Sequence, residues 1–510
     1  MLQVTNTLTR TREPVAAPAS GPLRMYTCGP TVYRYAHVGN LRTFMLADLL
    51  RRALESEGVE VRQVQNITDV GHLTNERFDH GEDRMLVSAR LEGRTPGEIA
   101  EHYTRAYLED AAALNLQPAH SYPRASAYVP AMIELVERLL AKGHAYQVDG
   151  NVYFAVESFP AYGRLSRNSL DQLRAGHRQE GIDPRKRHHA DFTLWKAAGP
   201  DRIVKWDSPW GEGFPGWHIE CSAMSLGELG EEIDVHTGGV DNVFPHHEDE
   251  IAQSEAVVGH RVVTTWVHGE HLLTEGRRMA KSAGNFYDLR SIRERGHSPL
   301  AVRYLFLQAR YRSQFNFTWE ALAGAERALG RLRDRMAEWA RAPSGGAETR
   351  DGPAAGAGTA AAALPGGAST RGATAAVGAR AVGALAVGAP ATGALAVGPA
   401  AYQERFRAAI DDDLDTPRAL AILGELEADE ALSPVQRFQA VAGFDRVLGL
   451  DLASAAAEVL PRGAGELIAR REQARGARDW AAADRLRDEL AGIGVEVVDT
   501  RSGTQWRLRR

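Results

Sequence analysis

Between Leu23 and Asp69 the chain reads as strand, turn, helix and strand, and that order constrains its fold more than any other feature. "LRMYTC" (23–28) is a buried strand. "LRTFMLADLLRRALESEG" (41–58) repeats Leu41, Phe44, Leu46, Leu49, Leu50 and Leu54 at helical spacing, with Gly58 as its stop. "VEVRQVQNITD" (59–69) returns to β-branched residues. Together these make a βαβ unit, so an α/β fold built on a Rossmann-type parallel sheet is expected. The turn, "CGPTVYRYAHVGN" (28–40), is neither G-x-G-x-x-G nor G-x-x-x-x-G-K, so the dinucleotide and P-loop readings lose their main support.

Further along, 117–200 is aromatic, Pro-interrupted and strand-rich, as an insertion between two halves of the sheet would be. Within it "RKRHHAD" (185–191) reads as a basic, solvated loop. From Trp206 onward helix and strand alternate again. Helical patterning then runs from Glu320 to Arg341 and from Tyr402 to Leu450, divided by an Ala/Gly tract. That tract is uncharged from Ala381 to Tyr402, but its glycines at 378, 383, 388, 393 and 398 each weaken a helix by about 1 kcal/mol. A low-complexity linker is expected there, not a membrane span. The last stretch is mildly basic and ends in a hairpin expected to turn at Ser502-Gly503. The 510 residues suffice for several domains, and a net charge of −6 weighs against non-specific adhesion to nucleic acid or membrane. Only two cysteines occur and the first residues are polar, as expected of a cytoplasmic protein in a reducing compartment.

Several groups carry chemistry. A helix N-terminus offers free N–H groups to phosphate. Gly39 lets a ligand approach the backbone there, while His37 and Asn40 can donate hydrogen bonds; a polar helix cap is the alternative. "EGRRMAKSAGN" (275–285) sets cations among small residues, either as a loop that closes over a triphosphate or as an ordinary basic loop. Cys28, Cys221, His246 and Glu250, the last two at i, i+4 in "FPHHEDE", make a zinc set by residue type, although free cysteines commonly lie inert in a core. His247-Glu248 lacks the second histidine of a zincin, since position 251 is Ile.

The pair of phosphate signals resembles the two signatures of class I aminoacyl-tRNA synthetases, His-Ile-Gly-His and Lys-Met-Ser-Lys-Ser. Here they stand as His37-Val38-Gly39-Asn40 and Arg278-Met279-Ala280-Lys281-Ser282. With "MYTCGPTVY", "NITDVGH", "PGWHIECSAM", "DVHTGGVDNVFPHHEDEIAQSEA" and "DDDLDTP", most of the chain resembles the cysteinyl-tRNA synthetases. The resemblance implies a zinc ion, one per chain, on Cys28, Cys221, His246 and Glu250, and an amino-acid pocket including Gly29, Thr68, Trp217 and His236. It implies ATP, with magnesium, bound by His37, Gly39, Asn40, Gly239, Asp241, Arg278, Met279, Lys281 and Ser282, with His37, Asn40 and Lys281 catalytic. L-cysteine and tRNA(Cys) are the implied partners of a monomer. The implied architecture is a Rossmann domain (1–116 and 201–265) split by a connective-peptide insertion (117–200). A stem-contact fold (266–318), a helical bundle (319–455, interrupted at 343–401) and a small α+β anticodon-binding unit (456–510) follow. A related ligase that joins cysteine to an amino-sugar shares the zinc and ATP motifs but lacks the full C-terminal tail. A silent RNA-binding paralogue would have no need of His37 and Lys281.

Overall fold

The computed structural model of the chain describes residues 1–71, 73–75, 80–169, 183–199, 202–279, 285–342, 398–456, 463–500 and 503–508. Lys281 and Ser282, and residues 343–397 of the expected linker, lie outside the described residues.

Four parallel strands form the central sheet, in the order Val263–Gly269, Ile233–Gly239, Leu23–Thr27, Val61–Gln65. The crossover helix spans Val38–Ser56. It starts three residues before Leu41, where the apolar period begins, because a side-chain cap and the buried Val38 fix its first turn. Gly58, at φ +85°, lets the chain reverse into the next strand, as its position suggested. The first half of the sheet grows to one side of Leu23–Thr27 and the second half to the other. The two middle strands therefore define a topological switch point, and ligands of open α/β sheets bind where the carboxyl ends part at such a point. Cys28 leaves one strand there and Asp241 follows the other; the Cys28 N–H still donates to Thr237 C=O (3.1 Å).

The insertion is an antiparallel sheet of Ala145–Val148, Asn151–Phe154, Phe192–Ala197 and Gly213–Pro215, beside the helix Val129–Ala141. Its fourth strand lies beyond residue 200, and Gly-Phe-Pro has no alternation to announce it. The strand Val263–Gly269 likewise carries the parallel sheet past residue 265. "RKRHHAD" is not a solvated loop: Arg187 lies over the Tyr146 ring at 4.1 Å, His188 is buried, and Asp191 accepts the Tyr146 hydroxyl (2.7 Å). The Arg187 guanidinium over the Tyr146 ring and the buried Asp191 carboxylate draw the stretch onto the sheet.

Helices Trp319–Arg341, Pro399–Asp411, Thr416–Ala428 and Pro434–Leu448 form the bundle. Arg303, fully buried, ties it to the catalytic half: the guanidinium donates to Leu448 O (2.6 Å), Leu114 O (3.1 Å) and Asp48 Oδ2 (2.6 Å), and Asp48 lies on the crossover helix. Within "DDDLDTP", Asp413 receives the Thr5 N–H and hydroxyl (both 2.8 Å), which pins the N-terminal hairpin to the bundle. The C-terminal unit has helices Ala464–Gly476 and Trp480–Gly492 and a hairpin, Val495–Thr500 with Gly503–Leu508. Gly503 opens the second strand instead of turning it, and residues 501 and 502 lie outside the described residues. Among the described residues no helix is long and apolar enough to cross a membrane.

Candidate functional site

The crossover helix is capped by the residues of the first signature. His37 Nδ1 accepts the Asn40 N–H (3.1 Å) and Asn40 Oδ1 accepts the His37 N–H (3.3 Å), a reciprocal cap that satisfies two orphan donors. Because Nδ1 accepts, the proton of the neutral ring sits on Nε2, which remains a donor. Partial burial, helped by Arg34, lowers the His37 pKa to about 4, so the ring is neutral at pH 7. A Cβ on Gly39 would crowd its neighbours, lying 2.7 Å from Met279 Cε and 3.0 Å from the His37 ring. The two signatures thus touch, and Val38 N–H also donates to Tyr287 O (2.9 Å), just beyond the second signature.

A cavity of about 450 Å³ opens at the switch point. Its wall includes Cys28, Gly29, His37, Gly39, Asn40, Trp217, Gly239, Asp241, Arg278 and Met279, ten of the residues singled out from the sequence. Asp241 Oδ2 lies 3.3 Å from His271 Nδ1, and Arg278 lies 3.2 Å from His271 Nε2, so His271 links the two loops that face each other across the mouth. Thr68 stands behind Gly29. Asn66 accepts the Gly29 N–H (2.8 Å) and donates to Thr68 Oγ1 (3.1 Å), and Thr68 donates to the fully buried Glu220 (2.9 Å). No side chain is possible at Gly29, whose Cβ would sit 1.6 Å from Asn66 O.

At the inner end lie Cys28, Cys221, His246 and Glu250, all buried, with one ligand atom from each within 4.8 Å of the others. Cys28 Sγ is 4.0 Å from Cys221 Sγ and 3.8 Å from Glu250 Oε1, and His246 Nε2 is 3.0 Å from Glu250 Oε1. The helix Glu248–Val258 presents Glu250, His246 lies in the π-helical turn before it, and Cys221 comes from the helix Trp217–Leu229. Burial pushes the Cys28 thiol and the Glu250 carboxyl well up, whereas the hydrogen bond with Cys28 lowers the Cys221 thiol. Two sulfurs, an imidazole and a carboxylate converging in this way fit a zinc ion.

His236 also reaches this cluster: its Nε2 is 3.5 Å from Cys28 Sγ and its ring stacks on Trp266 at 4.5 Å. Cys28, His236, His247 and Glu250 form a second set of mutually close donors. The Trp217 ring packs on His246 at 4.5 Å. Reasoning from spacing missed three histidines. His218 Nδ1 lies 2.8 Å from His246 Nδ1, while its Nε2 faces Asp249 at 3.3 Å. His247 and His268 lie on the opposite flank. The doublet in "FPHHEDE" was the available signal, but the i, i+4 test selects only its first member. Glu248 is occupied structurally, accepting N–H groups of Gly163 (2.9 Å) and Ser166 (2.7 Å).

Comparison with known proteins shows the family to which the chain belongs. Residues 15–327 match the model for "tRNA synthetases class I (C) catalytic domain", and residues 457–507 match "Cysteinyl-tRNA ligase anticodon binding domain". A methionyl-tRNA synthetase of Mycobacterium tuberculosis, solved with methionyl-adenylate, shares the fold at TM-score 0.53 and 17% identity, covering 91% of this chain and 96% of that one. The fold and catalytic-domain match define a class I aminoacyl-tRNA synthetase with a helical C-terminal region. Among curated relatives, a cysteine–tRNA ligase of Thermus thermophilus is 42% identical over 100% of both chains. That of Salinibacter ruber is 41% identical over 99% of this chain and 98% of its own. The chain belongs to the cysteine–tRNA ligase family and is an enzyme of the aminoacyl-tRNA ligase class.

Proposed function

We propose that the chain activates L-cysteine with ATP and transfers it to the 3′ end of tRNA(Cys), and that a zinc ion selects the substrate by its sulfur. The observation that carries this reading is the position of Cys28. It belongs to the four-donor cluster and also to the wall of the cavity that His37, Gly39, Asn40, Arg278 and Met279 line. Cys28, Cys221, His246 and Glu250 would hold the metal. Bound there, zinc supplies a soft Lewis acid that takes a thiolate in preference to a hydroxyl.

The residues of the chain then divide the work. His37 Nε2–H and the Asn40 amide hydrogens bind phosphate oxygens at the helix start, where the dipole favours negative charge. Arg278 and Lys281 draw off the charge that builds on the leaving pyrophosphate, with Met279 and Ser282 shaping their loop; magnesium accompanies ATP. Gly239 and Asp241 receive the nucleotide on the far wall. Gly29, Thr68, Trp217 and His236 fit the amino acid, so that its carboxylate meets the α-phosphate with little proton transfer and most of the rate comes from positioning. Residues 266–318 serve as the stem-contact fold and 456–510 read the anticodon. We assign the activity to a monomer.

Cysteine-dependent exchange of pyrophosphate into ATP, followed by charging of tRNA(Cys), tests the activity. Cys28→Ser tests selection. It should lose bound zinc and lower the preference for cysteine over serine, of order 10⁴ for a site built around one polar contact, by at least about tenfold. A variant with unchanged preference would refute the role of the metal.

A further inference from the structure

The sulfur of Cys28 has a close neighbour that the ligand set leaves unused. His247 is fully buried and places Nε2 3.1 Å from Cys28 Sγ. Its Nδ1 lies 2.7 Å from His268 Nε2, and His268 Nδ1 lies 2.7 Å from Thr7 Oγ1. Thr7 is itself anchored, its N–H donating to Trp266 O at 2.8 Å. The position of His247 is built into the sheet: a Cβ on Gly238 would come 2.6 Å from His247 Cε1, so the glycine clears the space for the ring.

With both imidazoles neutral, only one arrangement of protons joins this chain to a thiolate. A thiolate accepts and cannot donate, so the His247 hydrogen must sit on Nε2 and its Nδ1 must accept. His268 therefore donates from Nε2, and its Nδ1 accepts the Thr7 hydroxyl proton. Every nitrogen is used once, and both imidazoles are neutral. The alternative set, in which His247 would itself bind the metal, offers one sulfur where the first offers two, and a thiophilic ion favours two.

We infer that His247 is a positioning residue for the metal-binding thiolate of Cys28, held in its donating tautomer by His268 and Thr7. This rests on the reading of Cys28 as a metal ligand. Outer hydrogen bonds of this kind fix ligand direction, and their loss typically weakens metal binding about 10- to 100-fold.

The test titrates metal-free protein with cobalt(II), reading the thiolate-to-cobalt charge-transfer band and the affinity by competition with a chromophoric chelator. His247→Leu should weaken cobalt and zinc binding about 10- to 100-fold and shift the band. His247→Gln, whose amide N–H falls near the lost Nε2–H, should restore most of both. His268→Leu touches neither sulfur yet should give an intermediate loss, reversed in His268→Gln; this pair decides the matter if His247→Leu does not fold. Wild-type affinity and band in both leucine variants would overturn the inference. So would X-ray absorption of the zinc protein showing one sulfur and a nitrogen that disappears in His247→Leu. Wild-type protein that binds neither metal would instead overturn the metal reading itself, which separates the two failures.

Discussion

Gly39→Ala sets two effects of opposite sign against each other, and their sizes can be compared. A methyl at 39 would stand 2.7 Å from Met279 Cε and 3.0 Å from Cε1 and Nδ1 of His37. Met279 presents the flexible end of its side chain and can move cheaply. The His37 ring cannot, because its Nδ1 holds the Asn40 N–H (3.1 Å) and the ring packs edge-to-face with Phe286 at 5.2 Å. Displacing it costs about 1 kcal/mol of cap energy, within a range of about 0.5–2. Replacing glycine by alanine in a helix returns at most about 1 kcal/mol. The two nearly cancel, so the melting temperature should move by no more than about 2–4 °C per uncancelled kcal/mol. Function has no such compensation. Both phosphate-facing elements are shifted together, and a misplacement approaching 1 Å costs up to about 10²-fold in rate. We expect kcat/KM for ATP in cysteine-dependent pyrophosphate exchange to fall about 10- to 100-fold while thermal unfolding is nearly unchanged. An unaltered ATP dependence would refute the contact between the signatures. So would a loss of activity explained wholly by a fall in melting temperature.

Two further outcomes follow from named groups. His37 titrates near 4 in the folded chain and not near 6.5, so KM for ATP should stay flat from pH 8 to about pH 5.5; a rise centred near 6.5 would show a ring that is not neutralised by its surroundings. By the same linkage the unfolded ring takes its proton first on acidification, so its contribution to stability is complete above about pH 6.5 and is lost as pH falls toward about 4. Arg303→Leu removes a fully buried cation from Asp48 and from three carbonyls; Arg52 stays on Asp48 at 2.9 Å, but the acceptors left without a donor cost about 1–3 kcal/mol each. Calorimetry should show a fall of roughly 6 °C or more, and a fall under about 2 °C would refute the tie between bundle and sheet.

Much of the site was legible because its parts are local. The strand–turn–helix that delivers Cys28 and His37 is one continuous stretch with a clean change of period, and the i, i+4 relation of His246 and Glu250 survives in three dimensions at 3.0 Å. What was illegible depends on tertiary approach. His268 sits 21 residues beyond His247 in no recognisable pattern, and only the pairing of Ile233–Gly239 with Val263–Gly269 brings it back beside that ring. The strand Gly213–Pro215 escapes notice because its three residues have no alternation, and its partner Phe192–Ala197 supplies the order. The dual role proposed for His37 and Asn40 was hidden for another reason. Helix cap and phosphate donor were weighed as rivals, whereas the cap uses Nδ1 and Oδ1 and leaves the donating Nε2–H and amide hydrogens for a ligand.

That division has a consequence for charge. With His37 neutral and Asn40 uncharged, the first signature brings no formal cation to the triphosphate at neutral pH, only oriented dipoles. A second histidine at position 40 could titrate, but asparagine cannot. On the proposed function, the positive charge would come from magnesium, from Arg278 and Lys281 of the second signature, and from Arg34 and Arg84, which line the same cavity. Arg278 is held 3.2 Å from His271 Nε2, and His271 faces Asp241 at 3.3 Å, so the cation stands at the mouth of the cavity beside a carboxylate. Arriving phosphate offers Arg278 a stronger, doubly charged partner than a neutral imidazole. On the proposed function, Arg278 would pass from His271 to the nucleotide as it binds, while Met279, its sequence neighbour, packs against Gly39.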